Sequence, residues 1–399
     1  MDKIIKADLK ELFGKYALYH YIEMIPNGQY FMKPISGYKI EVNELNSLDK
    51  KLENFMIKHQ TKGLQLSIFK PFSLSILEKM TFIEYLYFGS EDAKEIKYLK
   101  NCLELKHLVI TGSKYNNFDF SFLEKLLVCD LSIKKGNYSL YECTTLKFIE
   151  IVYKEEDCHY LSNLKNLKNL ILNASALKSL EGLEKLTKLT KLTIQNTKIE
   201  DINIDWNQLK NLKEISFVNC KYLTNLDGLS NAKNIINIRL ENCKKIQSIK
   251  IISSLSLIQN ISLIDMSKEL KDFNFLEKLH HLKFVNMGYS KYFDTLDIFK
   301  NSLKLEELML WSCKNISNIE ILGELSFLKR VSLMGFGKIS TLKPLCRLEN
   351  LYHLSFKGTR INDNDIACLK NISSLKEIGF ADNIKYNMKE EELEYFIKN

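Results

Sequence analysis

Apolar residues recur in this chain with a spacing that leaves few folds open. Leu189, Leu192 and Ile194 stand at positions 1, 4 and 6 of one segment. Leu212, Ile215 and Phe217 occupy the same positions 23 residues later. The triad starts again at Ile83, Leu105, Leu126, Leu146, Leu167, Ile235, Ile258, Leu282, Leu305, Leu328, Leu351 and Leu375, in steps of 20 to 24 residues. Leu64, Leu66 and Ile68 form a weaker first copy. That makes 14 clear units and a fifteenth at the front. Alternation at positions 4 and 6 reads as a strand. Self-similarity at this period reads as stacked units, each burying its apolar side against the next.

The unit is similar to that of the leucine-rich repeat family, L-x-x-L-x-L-x-x-N/C-x-L at 20–29 residues. The resemblance implies an α/β solenoid with a curved parallel β-sheet on its concave face. The units are short, so the convex returns are expected to be irregular, 3₁₀ or briefly helical. The family's regular asparagine at position 9 is missing. Ser175, Thr197 and Thr359 stand there, each followed two places on by an apolar residue, whereas Cys220, Cys243 and Cys313 are followed three places on. The cysteine units thus carry one more residue in the turn, and uneven curvature is expected.

Solenoid ends need caps, because a terminal unit would otherwise expose its apolar side. Residues 1–60 do not fit the repeat and are read as a mixed α/β N-terminal cap. Asp8 to Tyr19 suggests a helix. Tyr21–Ile25 and Tyr30–Ile35 suggest strands around the turn Pro26-Asn27-Gly28, and Ser47–His59 suggests an amphipathic helix. Residues 61–382 form the repeat region. Residues 383–399 are read as a C-terminal capping helix over Met388–Lys398, with Leu393, Phe396 and Ile397 on its inner face.

If positions 4 and 6 point inward, positions 3, 5 and 7 line the concave sheet. Tyr85, Tyr87, His107, Val109, Asp130, Phe148 and Glu150 then lie toward the N-terminal end. A polar centre follows, including Asn169, Asn237, Arg239, Glu241 and Asn260. Phe284, Asn286, Glu307, Met309, Trp311, Arg330, Met334 and His353 lie toward the C-terminal end. Two aromatic patches flank a polar middle, and these residue types are enriched where proteins bind proteins. The expected partner-binding residues are Tyr85, Tyr87, Phe148, Glu150, Arg239, Glu241, Phe284, Glu307, Met309, Trp311, Arg330 and Met334.

Charge argues in the same direction. The chain is basic, with a formal net charge of +8. Its expected concave face is slightly acidic: Asp130, Glu150, Glu214, Glu241, Glu307 and Glu377 against Lys191, Arg239, Arg330 and Lys357. Nucleic acid in the hollow would need a basic track. Position 2 carries a lysine row instead: Lys106, Lys147, Lys168, Lys213, Lys283, Lys329 and Lys376. That row could solubilise an edge, steer an acidic partner, or contact nucleic acid.

No phosphate loop, dinucleotide fingerprint or zinc-protease helix is present. The nine cysteines include no CxxC pair, and Cys129, Cys220, Cys243 and Cys313 fall on inward positions. Cys158-His159 has no companions at metal-ligand spacing, so no metal or cofactor is expected. Asp130 and Glu150 fall on neighbouring strands near Phe148. Such a pair can do acid–base chemistry, but interface polarity is its commoner use. The first residues lack the apolar core of a secretory signal, and no run of 18 apolar residues occurs. The expectation is a cytoplasmic, non-enzymatic scaffold, monomeric by preference, that engages a protein partner; an inhibitor or immunity-type protein is one version. The alternatives are an activity housed in residues 1–60 and nucleic-acid binding along the lysine row.

Overall fold

The computed structural model describes residues 18–22, 34–42, 54, 57–58, 62–67, 74–89, 96–111, 118–131, 138–288, 292–380 and 386–398. The chain divides into two compact units. The first comprises residues 1–177 and 181–191, and the second residues 178–180 and 192–399.

In the first unit, strand β1 (Leu18–Ile22) lies antiparallel to β2 (Pro34–Val42), with Leu18 opposite Ile40 and Ile22 opposite Pro34. The expected N-terminal strand pair is therefore present but displaced along the chain. Its proposed turn and most of the two proposed helices lie outside the described residues; Leu18 and Tyr19 belong to a strand. β2 pairs parallel with β3 (Gly63–Ser67). Then follow β4 (Tyr85–Gly89), β5 (His107–Thr111), β6 (Val128–Leu131), β7 (Phe148–Val152) and β8 (Asn169–Asn173), each parallel to the last.

The second unit has the same pattern, with β9 (Lys191–Gln195, whose first residue belongs to the first unit), β10 (Glu214–Val218), β11 (Asn237–Glu241), β12 (Asn260–Ile264), β13 (Phe284–Met287), β14 (Glu307–Trp311), β15 (Arg330–Met334), β17 (His353–Ser355) and β19 (Glu377–Gly379). Position n of one strand pairs with position n of the next, so equivalent side chains form straight rows. A small parallel sheet, β16 (Gly337–Ile339) with β18 (Thr359–Ile361), forms in the returns of two late repeats.

The returns are 3₁₀ turns of three to six residues, as their brevity predicts. Leu189, Leu192 and Ile194 are fully buried, as are Ile258, Ile261 and their equivalents in neighbouring repeats. Burying one such side chain contributes roughly 2 kcal/mol. No repeat could hold its strand alone, because its apolar face has only the adjacent repeats to cover it.

The turn after the strand differs from the sequence expectation. Its organising residue is position 8, which is left-handed in seven repeats of the second unit: Asn196, Asn219, Asn242, Asp265, Ser312, Gly335 and Gly358. Asparagine, aspartate and glycine enter that region most easily. The asparagines also stack. The Asn219 side-chain amide donates to Asn196 Oδ1 at 3.1 Å, and Asn242 donates to Asn219 Oδ1 at 2.7 Å. The left-handed residue aims position 9 inward, where Thr197, Cys220, Cys243, Cys313, Phe336 and Thr359 are buried.

In three of these repeats the position 9 side chain satisfies a carbonyl in the strand of the repeat before. Cys220 Sγ donates to Ile194 O at 3.6 Å, Cys243 Sγ to Phe217 O at 3.5 Å and Thr359 Oγ1 to Leu333 O at 2.7 Å. Ser175 does not take this place. It is exposed, and Ala174 is buried directly after the strand. That repeat has no left-handed residue at position 8, so the chain turns inward one position earlier.

The C-terminal helix α1 (Glu390–Lys398) forms as expected, and Leu393 is fully buried beneath it. Phe396 is not on the inner face. It is 54% exposed, with the Lys370 ammonium 3.8 Å from its ring centroid. The described part of that inner face is Leu393. No described helix is long and apolar enough to cross a membrane.

Candidate functional site

Alternation within each strand puts positions 3, 5 and 7 on the outward face of the sheet. In the first unit, position 3 forms the row Tyr85, His107, Val128, Phe148, Asn169, and position 5 the row Tyr87, Val109, Asp130, Glu150, Ile171. Tyr85, Tyr87, Phe148 and Glu150 therefore share one face. His107 and Asn169 lie on it but are buried, at 7% and 3% exposed. The Tyr85 and His107 rings pack at 6.4 Å. Burial, aided by Lys106 and opposed by Glu84, pushes the His107 imidazole down to about 4. It is neutral at physiological pH and serves as a packing group.

Asp130 and Glu150 face each other across β6 and β7. Burial, with Glu150 adding repulsion, pushes the Asp130 carboxyl up to about 6. Burial likewise raises Glu150. The folded state therefore holds a proton on Asp130 more tightly than the unfolded chain does. The contribution of Asp130 to stability is therefore greatest at low pH and is lost as pH rises from the ordinary value of 3.8 through about 6. Asp130→Asn is accordingly expected to stabilise the protein at pH 7.5 by about 1–2 kcal/mol, allowing for solvent access to the carboxyl. The gain should vanish below about pH 4. Chemical denaturation at both pH values checks this; a variant less stable than wild type at pH 7.5 would refute it.

In the second unit, position 3 forms the row Glu214, Asn237, Asn260, Phe284, Glu307, Arg330, His353, Glu377. Position 5 includes Arg239, Asn286 and Met309, and position 7 includes Glu241, Trp311 and Met334. Here the eight remaining expected partner-binding residues share one face. Polar contacts organise it. Asn260 donates to Asn237 Oδ1 at 2.6 Å. Trp311 Nε1 donates to Asn286 Oδ1 at 2.7 Å, which fixes the indole while leaving it 42% exposed. Arg239 pairs with Glu241 on the same strand. Arg330 Nε lies 4.0 Å from Glu307, and its Nη1 donates to the Tyr352 hydroxyl at 2.7 Å. His353 Nδ1 lies 2.7 Å from Glu377.

The lysine row at position 2 is less basic than its lysines alone suggest. Glu84 occupies the same position and bonds both Lys62 and Lys106. Burial pushes its carboxyl up, but the two lysines together hold it below the ordinary carboxylate value. Glu306 bonds Lys329 at 2.7 Å, and that bond holds its carboxyl down. These pairings join residues about one repeat apart, so the acids could have been found by reading the whole column at position 2.

The inward cysteines are buried as expected. Burial raises the thiols of Cys102 and Cys313 to about 12, which suits packing and not nucleophilic chemistry. Cys158 is buried in the first unit, while His159 beside it is exposed and pairs with Asp157 at 3.0 Å.

No protein-family model matches the chain, and no curated protein sequence matches it. Solved structures do. The internalin InlF of Listeria monocytogenes is similar with a TM-score of 0.53 and 19% identity, over 86% of each chain. A leucine-rich-repeat protein of Leptospira interrogans is similar with a TM-score of 0.55 and 16% identity, over 86% of this chain and 88% of that one. The functional domain of Listeria monocytogenes InlJ, which includes a cysteine ladder, is similar with a TM-score of 0.54 and 17% identity, over 77% of this chain and 65% of that one. The fold is the leucine-rich-repeat solenoid. At these identities the likeness extends to the fold alone.

Proposed function

We propose that this chain is a non-enzymatic, cytoplasmic protein-binding scaffold whose outward sheet face engages a partner protein. The supporting observation is Trp311. Its indole is held in one orientation by Asn286 yet stands exposed, with Met309 two residues before it on its own strand and Met334 opposite it on the next. A rigid aromatic side chain loses little conformational freedom on binding, which is why such groups dominate interfaces. Phe284 lies on the strand before it, opposite Glu307. Residues 1–60 and 383–399 are proposed as the caps of the repeat region 61–382.

The experiment is capture of the partner with the full chain, followed by titration with the Phe284→Ala/Trp311→Ala variant. The pair is expected to cost more than about 2 kcal/mol of affinity, roughly thirtyfold. Unchanged affinity would end the proposal. On the inhibitor or immunity-type version, the captured partner is an active protein silenced at one-to-one stoichiometry. Nucleic-acid binding is the weaker reading, because Glu84 and Glu306 neutralise the lysine row at two places.

A further inference from the structure

The acids on the outward face are treated differently in the two units. In the second, Glu241, Glu307 and Glu377 each have a base on the same or the adjacent strand: Arg239, Arg330 and His353. In the first, Asp130 and Glu150 lie side by side, and no described residue bonds or pairs with either. Like charges directly opposite on neighbouring strands are unfavourable, more so when water is partly excluded. Their surroundings are apolar and aromatic. Val109 and Ile171 continue the row on either side, Tyr87 lies beyond Val109, and Phe148 stands two residues before Glu150 on the same strand face. Among the described residues, none offers this carboxylate pair a bonded counter-charge.

We propose that the outward face of the first unit is a docking surface for a basic segment of a partner protein, with an arginine seated over Asp130 and Glu150 beside Phe148. The inference rests on the protein-binding reading and specifies the chemistry of one part of the interface. A guanidinium fits because it is planar, can hydrogen-bond two carboxylates at once and stacks on aromatic rings. A divalent cation is a poorer occupant. Calcium takes six to eight oxygen ligands, and no third acidic, histidine or cysteine side chain completes a metal cluster among the described residues. A bound arginine would also relieve the repulsion between the two carboxylates, so association and relief of the unfavourable pair are the same event.

The test selects a displayed library of random dodecapeptides on the immobilised full chain at physiological salt. The expected peptides share an arginine next to apolar residues. Replacing that arginine with its neutral isostere citrulline should weaken binding at least tenfold. The Asp130→Asn/Glu150→Gln variant should weaken it as much while unfolding no more readily than wild type, which separates lost recognition from lost fold. Three results would overturn the inference. Peptides that tolerate both changes but fail to bind Phe284→Ala/Trp311→Ala would leave the protein-binding reading standing and remove the arginine site. A dimer in sedimentation that dissociates on Asp130→Asn/Glu150→Gln would assign the face to a second copy of the chain. Recovery of no binding peptide would remove both readings.

Discussion

Trp206→Ala is expected to lower the stability of the second unit by about 3–5 kcal/mol, near the top of the range for one core truncation. Trp206 is 2% exposed and is the largest of the fully buried side chains. Its place in the 3₁₀ turn is taken by Leu229 and Ile252 in the next two repeats. The difference has a backbone cause. In the following repeat, Leu226 O accepts from Leu229 N in the ordinary 3₁₀ pattern, at 2.9 Å. The Trp206 repeat has one residue more between the corresponding positions. Trp206 N therefore bonds Ile204 O, and its indole Nε1 donates to Ile202 O at 2.9 Å.

Truncation to alanine would open a void and leave a buried carbonyl without that donor. Trp206→Leu, which copies the next repeat, should cost less but more than a size change alone, because Ile202 O still loses its partner. Gly228 packs against the same carbonyl, and a Cβ there would lie 2.5 Å from Ile202 O. That close approach limits how far the next repeat can collapse into the void. Urea denaturation followed by circular dichroism measures the loss. An unchanged midpoint for Trp206→Ala would mean that the indole carries none of this load.

The second large effect is expected at Gly182. Its φ is +97°, a region that disfavours any residue with a Cβ. The space is also filled. A Cβ at Gly182 would lie 2.7 Å from His159 N and 2.8 Å from Cys158 C. Both are backbone atoms and cannot rotate away. The approach is held by Cys158 N donating to Glu181 O at 2.8 Å. Gly182→Ala is thus expected to cost about 2–4 kcal/mol, from left-handed strain plus overpacking. Gly337 separates the two terms. Its φ is +84°, but a Cβ there would meet nothing within 4 Å. Gly337→Ala should cost only the strain, about 1–2 kcal/mol. Equal losses at the two sites, measured by denaturation midpoint, would contradict the close approach at Gly182.

These cases show why some features could be read from residue order and others could not. The triad at positions 1, 4 and 6 was legible because burial repeats it in every unit. The 3₁₀ returns followed from the shortness of the unit, and the inward cysteines from counting along it. The opposition of Asp130 and Glu150 was legible too, because a parallel register pairs equal positions. Position 8 was missed. Its requirement is a backbone angle, which Asn196, Asp265, Ser312 and Gly335 meet with four different side chains, so no single letter repeats. Ser175 was misplaced for the same reason: its repeat lacks the left-handed residue that would aim position 9 inward.

Periodic burial is a property of residue order, so the residues alone were enough to specify a stack of parallel strands and the side chains on each of its faces. Which charges neutralise one another was settled in space. Glu84 between Lys62 and Lys106, and Arg330 between Glu307 and Tyr352, meet across repeats because side-chain reach and rotamer complete those contacts. The same holds for the indole of Trp206 on Ile202 O and for the exposed Phe396 under Lys370. Such contacts depend on distances of a few ångströms, and a repeat pattern does not carry distances.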